Sequence, residues 1–297
     1  MLNNPTILFV QFMNGLSFGL TLFIIAAGLT LILGVLRVLN FAHGAFFMIG
    51  GYVTFSLVNW LPASFPGAFW LSVIGAAIVL GAMAWVIERT MLRRLYDRDH
   101  LPQLLFTFAL VLLAEDLVKV AWGTSVLSVS FPPGFKKAVD LGISYYPSYR
   151  LFLCVIGTVI AVALWYVVNR TRMGRLVRAA TQDREMLESL GINVGRIYMM
   201  VFVAGVALAG LGGGLAAPAT SLTVGMDAEI IVQCFIIVII GGMGSLPGAF
   251  LGALILGQLN AFGVMLVPAF ELVLIYLMMV AVLMFRPWGL LGHKEVQ

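Results

Sequence analysis

The residues of this 297-residue chain whose types could carry chemistry are three histidines, two cysteines, a few isolated acids and one dense glycine cluster. Histidines hold a catalytic metal when they converge, as on a His-Glu-x-x-His helix, but His43, His100 and His293 lie in separate regions and stand in no such pattern. Cys154 and Cys234 fall in different apolar segments, which gives neither ligand spacing nor a disulfide framework, so both are assigned to packing. The run Gly241-Gly242-Met243-Gly244-Ser245-Leu246-Pro247-Gly248 has the glycine density of a phosphate-cradling loop. It lacks the closing Lys-Ser/Thr, however, and it ends an apolar segment rather than a soluble strand. Gly241, Gly242, Gly244, Pro247 and Gly248 are therefore read as a bend and a packing surface. No catalytic set assembles, no cofactor is expected in the chain, and any uphill work must draw its energy from elsewhere.

The elements that hold these residues are hydrophobic throughout. Of the chain, 62% is hydrophobic and 10% charged, against roughly 45–50% and 25% in soluble domains, and the mean hydropathy is +1.06. Windows of about 20 apolar residues can cross a bilayer. Nine occur, over about 7–36, 41–60, 67–87, 101–122, 151–168, 197–217, 230–240, 248–267 and 270–285. The first is too long for a signal-peptide core and lacks a basic flank, so it reads as a span. The 230–240 window is short and Pro268 separates the last two weakly, so eight spans with a re-entrant piece compete with nine. The expected fold is all-α, a polytopic transmembrane bundle of about eight or nine spans, with residues 1–297 as one domain.

Orientation follows from the cations. The net charge of +4 would suggest nucleic acid elsewhere, but here the cations sit between spans, where membrane orientation explains them. With the N-terminus outside, every Lys and Arg falls on the cytoplasmic side except Lys119, Lys136, Lys137 and Arg150. The C-terminus is then cytoplasmic. Small residues four apart, as in Gly15/Gly19, Gly210/Gly214 and Gly244/Gly248/Gly252, let such helices approach closely.

Polar residues inside the apolar windows are the next candidates, because they are costly there without partners. Asn40 and His43 are three apart and would meet on a continuous helix. They either satisfy backbone near Gly44 or help gate. Glu115 and Lys119 are four apart in the order that favours a helical ion pair. Gln258, Asn260 and Glu271 either line a path or bond helix to helix. Glu115, Asp116 or Glu271 would carry protons if the chain were an ion-coupled secondary carrier.

Residues 169–197 form the most structured cytoplasmic loop. Arg175 and Arg178 precede Asp183, which can cap a short helix; Glu185 lies in its first turn, Met186, Leu187 and Leu190 share one face, and Gly191 offers a left-handed stop. A helix so short is unstable alone, well under the roughly 12–15 residues an isolated helix needs. Its apolar face must rest on lipid headgroups or on a protein partner, and spacing does not choose between them.

Glu185-Met186-Leu187 with Gly191 resembles the Glu-Ala-Ala-x-x-x-Gly coupling signature of bacterial ABC importer permeases, with Met186 and Leu187 in place of the alanines. The whole chain is similar to the branched-chain amino-acid permease family. Three stretches carry that similarity in family order: Gly34-Val35-Leu36-Arg37-Val38-Leu39-Asn40-Phe41-Ala42-His43-Gly44; Gly174-Arg175 with Arg178-Ala179 and Gly191-Ile192-Asn193; and Ile240 to Ala249. The resemblance implies a multi-pass permease of the bacterial inner membrane and a second, related but non-identical permease subunit. It further implies two cytoplasmic ATPases that bind the ATP and magnesium, and an extracytoplasmic substrate-binding protein. It makes 183–191 the coupling helix and points to branched-chain or other hydrophobic amino acids as cargo, while urea, amides and aromatic or organic acids are handled by similar chains.

Overall fold

The computed structural model describes residues 4–62, 65–96, 98–182 and 184–292; within them the side chains of Gln182, Arg184, Ala269, Glu271 and Leu272 lie outside the description. Asp183 and His293 fall outside the described residues, as does the side chain of Glu271.

Helix α1 (Pro5–Leu36) is the axis of the bundle. Asn4 caps it by accepting from the Thr6 amide at 3.0 Å, Pro5 opens it, and its apolar side chains point in every direction. A helix apolar all round is stable only when surrounded, and α1 packs on α10 (Leu246–Leu266), α8 (Val194–Ala216), α5 (Ser148–Arg170) and α9 (Met226–Gly241). The outer ring is completed by α2 (Ala42–Trp60), α3 (Ala68–Thr90), α4 (His100–Trp122) and α11 (Glu271–Phe285). Each of the nine apolar windows thus holds one helix. Among the described residues, α1, α3, α5, α8 and α10 are long and apolar enough to cross a membrane by length and composition. The chain is a helical bundle of membrane type.

Two helices start inside this bundle. Helix α1 ends where Arg37 turns to φ 54°, and residues 37–41 run back along it. The imidazole Nε2 of His43 therefore meets the carbonyl of Ile25 at 2.9 Å, about three turns before the end of α1. The start of α9 lies against the same place: a side chain at Gly44 would overlap the Asp227 carbonyl, and the rings of Phe41 and Phe235 are 5.2 Å apart. Helices α2 and α9 thus run antiparallel with their N-termini side by side, which explains the short 230–240 window. Asn40 precedes α2 while His43 stands in its first turn, so the continuous helix that the sequence reading assumed, on which their side chains would meet, is absent. The His43 amide donates to the Asn40 carbonyl at 3.2 Å, and no hydrogen bond joins their side chains among the described residues.

The two ends of the bundle differ. At one, an antiparallel hairpin, β1 (Ala138–Asp140) with β2 (Tyr145–Pro147), sits in the loop before α5. At the other, the 169–197 loop holds two helices rather than one, α6 (Arg172–Gln182) and α7 (Arg184–Ser189).

Candidate functional site

At the α6–α7 end, Thr171 starts the elbow by accepting from the Gly174 amide at 3.1 Å. Gly174 has no side chain to clash with the Val167 and Val168 carbonyls it abuts. Arg178 donates to the Val168 carbonyl at 2.7 Å and to Asn169 Oδ1 at 3.0 Å, so its cation caps the negative end of α5. Ala180 and Leu187 are buried in the cluster that contains Leu33 and Leu36 of α1. Helix α7 then stops as a Schellman motif: Gly191 at φ 76° donates to Glu188 at 3.0 Å and Ile192 donates to Leu187 at 3.1 Å.

The apolar residues Met186 and Leu187 of α7 and Leu190 just after it do not share a fate. Leu187 is 6% exposed and faces the protein's own core, whereas Met186 is 61% and Leu190 67% exposed. Met186 and Leu190 are four apart, so they form one projecting apolar pair. Beside them a groove of about 480 Å3 is lined by Arg93, Tyr96, Glu188, Asn193 and Tyr198. Tyr96 stacks edge-on to Tyr198 at 5.2 Å and donates to Glu88 Oε1 at 3.1 Å; burial, then the Glu88 charge, raises its hydroxyl well above the ordinary tyrosine range and keeps it a donor. Arg175 and Glu185 are exposed on the same surface.

At the hairpin end, a cavity of about 350 Å3 opens between α1, α5, α9 and α10. Gln11, Asn14, Ser17 and Thr21 of α1 line it, three to four residues apart and so on one helical face. Gln11 donates to the Ala261 carbonyl, Ser17 to the Arg150 carbonyl at 3.3 Å, and Thr21 to the Ser17 carbonyl at 2.9 Å. Asn14 Oδ1 accepts from the guanidinium of Arg150 and, at 3.1 Å, from Tyr146. Burial raises the Tyr146 hydroxyl and the Arg150 charge opposes it. Ile25 and Phe47 close the floor. Beneath them sits His43, bonded to Ile25; it and Asn40 are fully buried, and His43 Nδ1 and both amide atoms of Asn40 have no hydrogen-bond partner among the described residues.

The match to known proteins decides the class. A family model described as "Branched-chain amino acid transport system / permease component" matches residues 11–283. The chain belongs to that family. Among curated proteins, the LivH permease protein of the high-affinity branched-chain amino acid transport system of Salmonella typhimurium is 31% identical over 97% of this chain and 96% of its own length. The BraD permease protein of Pseudomonas aeruginosa, named for the same kind of system, is 32% identical over 97% and 96%. The LivM permease protein of Salmonella typhimurium is 26% identical over 92% of this chain and 68% of its own length. No solved structure matches. The family is one of transport permeases, not of enzymes.

Within this permease, Asn260 lines the cavity, while Gln258 lies beside it, donating to the Phe12 carbonyl at 3.1 Å and packing on Gly15. Gly242 (φ 100°) and Gly244 (φ 77°) form the turn between α9 and α10; Gly241 packs on Gly248, Pro247 opens α10, and Ser245 caps it. Lys119 pairs with Asp116 at 3.0 Å and with Glu115 at 3.7 Å, all at the exposed end of α4. Sequence reasoning missed Gln11, Asn14, Ser17 and Thr21, whose helical spacing within an apolar run was the available signal. The run Gly15-Leu16-Ser17-Phe18-Gly19 spells a nucleophile pattern, but that pattern works only on a strand-to-helix turn. Here Ser17 is mid-helix and bonded to backbone.

Proposed function

We propose that this permease is the membrane-spanning half of an ATP-driven, binding-protein-dependent importer of branched-chain or other hydrophobic amino acids, set in the bacterial inner membrane with the hairpin end outside. The reading rests on the projecting Met186–Leu190 pair, an apolar surface anchored to the protein's own core through Leu187. An exposed apolar pair on a helix of six residues needs a groove in a partner. A cytoplasmic ATPase, one on each of two permease subunits, supplies that groove and binds ATP and magnesium. Positive-inside bias puts the Arg-rich elbow in the cytoplasm, with the C-terminus, and nine helices crossing from an external N-terminus satisfy it. Both LivH and LivM carry the same system's name and both resemble this chain, which supports a related but different second permease.

Movement would pass from α7 through Ala180 and Leu187 to Leu33 and Leu36 of α1, next to the Arg37 reversal that sets where α2 begins. Closing of the ATPases pulls the elbow, and His43 with the α2 start opens or shuts the floor of the outer cavity. Coupling requires contacts that differ between the two states. In proteoliposomes with its partners, the parent complex is expected to accumulate L-leucine only with ATP. Gly191→Val strains a left-handed residue by about 1–2 kcal/mol and should cut uptake per ATP hydrolysed at least tenfold with normal insertion. Normal coupling in that variant would remove the elbow from the mechanism, and proton-driven uptake by the permease alone would replace the reading with a secondary carrier.

A further inference from the structure

The cavity at the hairpin end holds a cation that the transport reading leaves unused. Arg150 is the third residue of α5, and its guanidinium is held over the cavity by two neutral groups, Asn14 Oδ1 and Tyr146. No carboxylate pairs with it among the described residues: Glu115 and Asp116 pair with Lys119, and Asp140 of the hairpin accepts from the Gly142 amide. Asn14 is itself fixed from two sides, since Tyr146 also donates to it, so the guanidinium is steered rather than neutralised.

Further observations make this an anion position. Arg150 stands in the first turn of α5, where the helix dipole favours negative charge. The cavity lining contains no acid; besides Arg150 its polar groups are amides and hydroxyls, most of them on α1, and Phe18, Leu22, Leu153 and Val264 provide apolar surface. Its volume of about 350 Å3 lies in the range of roughly 300–1,000 Å3 typical of small-molecule sites. A planar guanidinium beside an apolar wall matches a carboxylate joined to an aliphatic chain.

We infer that Arg150, positioned by Asn14 and Tyr146, is the subsite that receives the carboxylate of the cargo as it enters the permease, with the cavity's apolar wall taking the side chain. The assignment rests on the importer reading for its cargo, but the site can be tested without transport. In lipid nanodiscs, phenylglyoxal modifies accessible arginines, and peptide mass mapping follows Arg150. Isovalerate and L-leucine should slow its modification several-fold, isobutylamine should not, and Arg286 at the other end should be indifferent. Equal rates with and without isovalerate would overturn the subsite whether or not the importer reading holds.

With the full complex, Arg150→Gln should lower the maximal uptake rate of L-leucine about tenfold or more, the loss of one bond to a charged group. The amount of loaded binding protein that half-saturates uptake should stay the same, and Arg150→Lys should recover part of the rate. The reverse pattern, a raised half-saturating amount with the maximal rate restored at high binding protein, would assign Arg150 to docking of that protein and overturn the subsite. Absence of ATP-driven uptake in the parent complex sinks the importer reading and leaves the protection experiment to decide the carboxylate.

Discussion

The cavity at the hairpin end and the elbow at the other are built from opposite materials. The cavity is a polar stripe cut into the longest apolar helix of the molecule: Gln11, Asn14, Ser17 and Thr21 face inward, and Gln11, Ser17 and Thr21 donate to backbone carbonyls. The elbow is an apolar pair, Met186 and Leu190, pushed out from the most charged segment. Each is placed where its surroundings make it costly unless something fills or covers it, because a dry polar cavity and a wet apolar knob are both unfavourable. On the proposed reading the difference separates two tasks: the cavity receives the small-molecule cargo, and the knob docks on one protein surface.

If that division holds, charging the knob should have the largest effect. Met186→Glu with Leu190→Glu is expected to abolish co-purification of the ATPase and reduce uptake to background, while protein yield stays normal. Retention of the ATPase at parental stoichiometry would break the comparison. Next comes the link between the regions: His43→Ala removes the bond to Ile25 and leaves a void at the cavity floor, costing about 2–4 kcal/mol, which a lowered thermal midpoint in detergent would register. A smaller change is expected from Asn14→Ala, which frees Arg150 and Tyr146. Uptake should fall a few-fold with the ATPase still bound, and a detached ATPase would mean the ends are not separable in this way. Smallest is Arg178→Ala, which uncaps α5 for about 0.5–1 kcal/mol; a shift of the thermal midpoint by a few degrees without loss of the ATPase would confirm that this arginine serves the fold.

Parts of both regions were legible beforehand. The stop at Gly191 follows from glycine's freedom at positive φ, and the nine windows each contain a helix, because apolar periodicity and length survive in any bundle. The partition of α7 was not legible: Met186, Leu187 and Leu190 are one face by helical period, and only packing on Ala180 turns Leu187 inward and leaves the other two out. Asn40 and His43 misled for a related reason. Their spacing assumes an unbroken helix, while the chain reverses at Arg37 and the distant start of α9 at Asp227 packs against Gly44. The only local trace of that arrangement was the shortness of the 230–240 window. The polar stripe of α1 was hidden by averaging, since four small polar groups barely alter the hydropathy of thirty residues.

Helix α1 has 32 residues, about 48 Å of rise, against a hydrocarbon layer of about 30 Å. It must lean or protrude, and its two ends carry the cavity stripe and the seat of the elbow. On the proposed two-state reading, bilayer thickness becomes a mechanical input: lipids with shorter chains would steepen the lean of one rod and shift both of its ends together, biasing the balance between the two states.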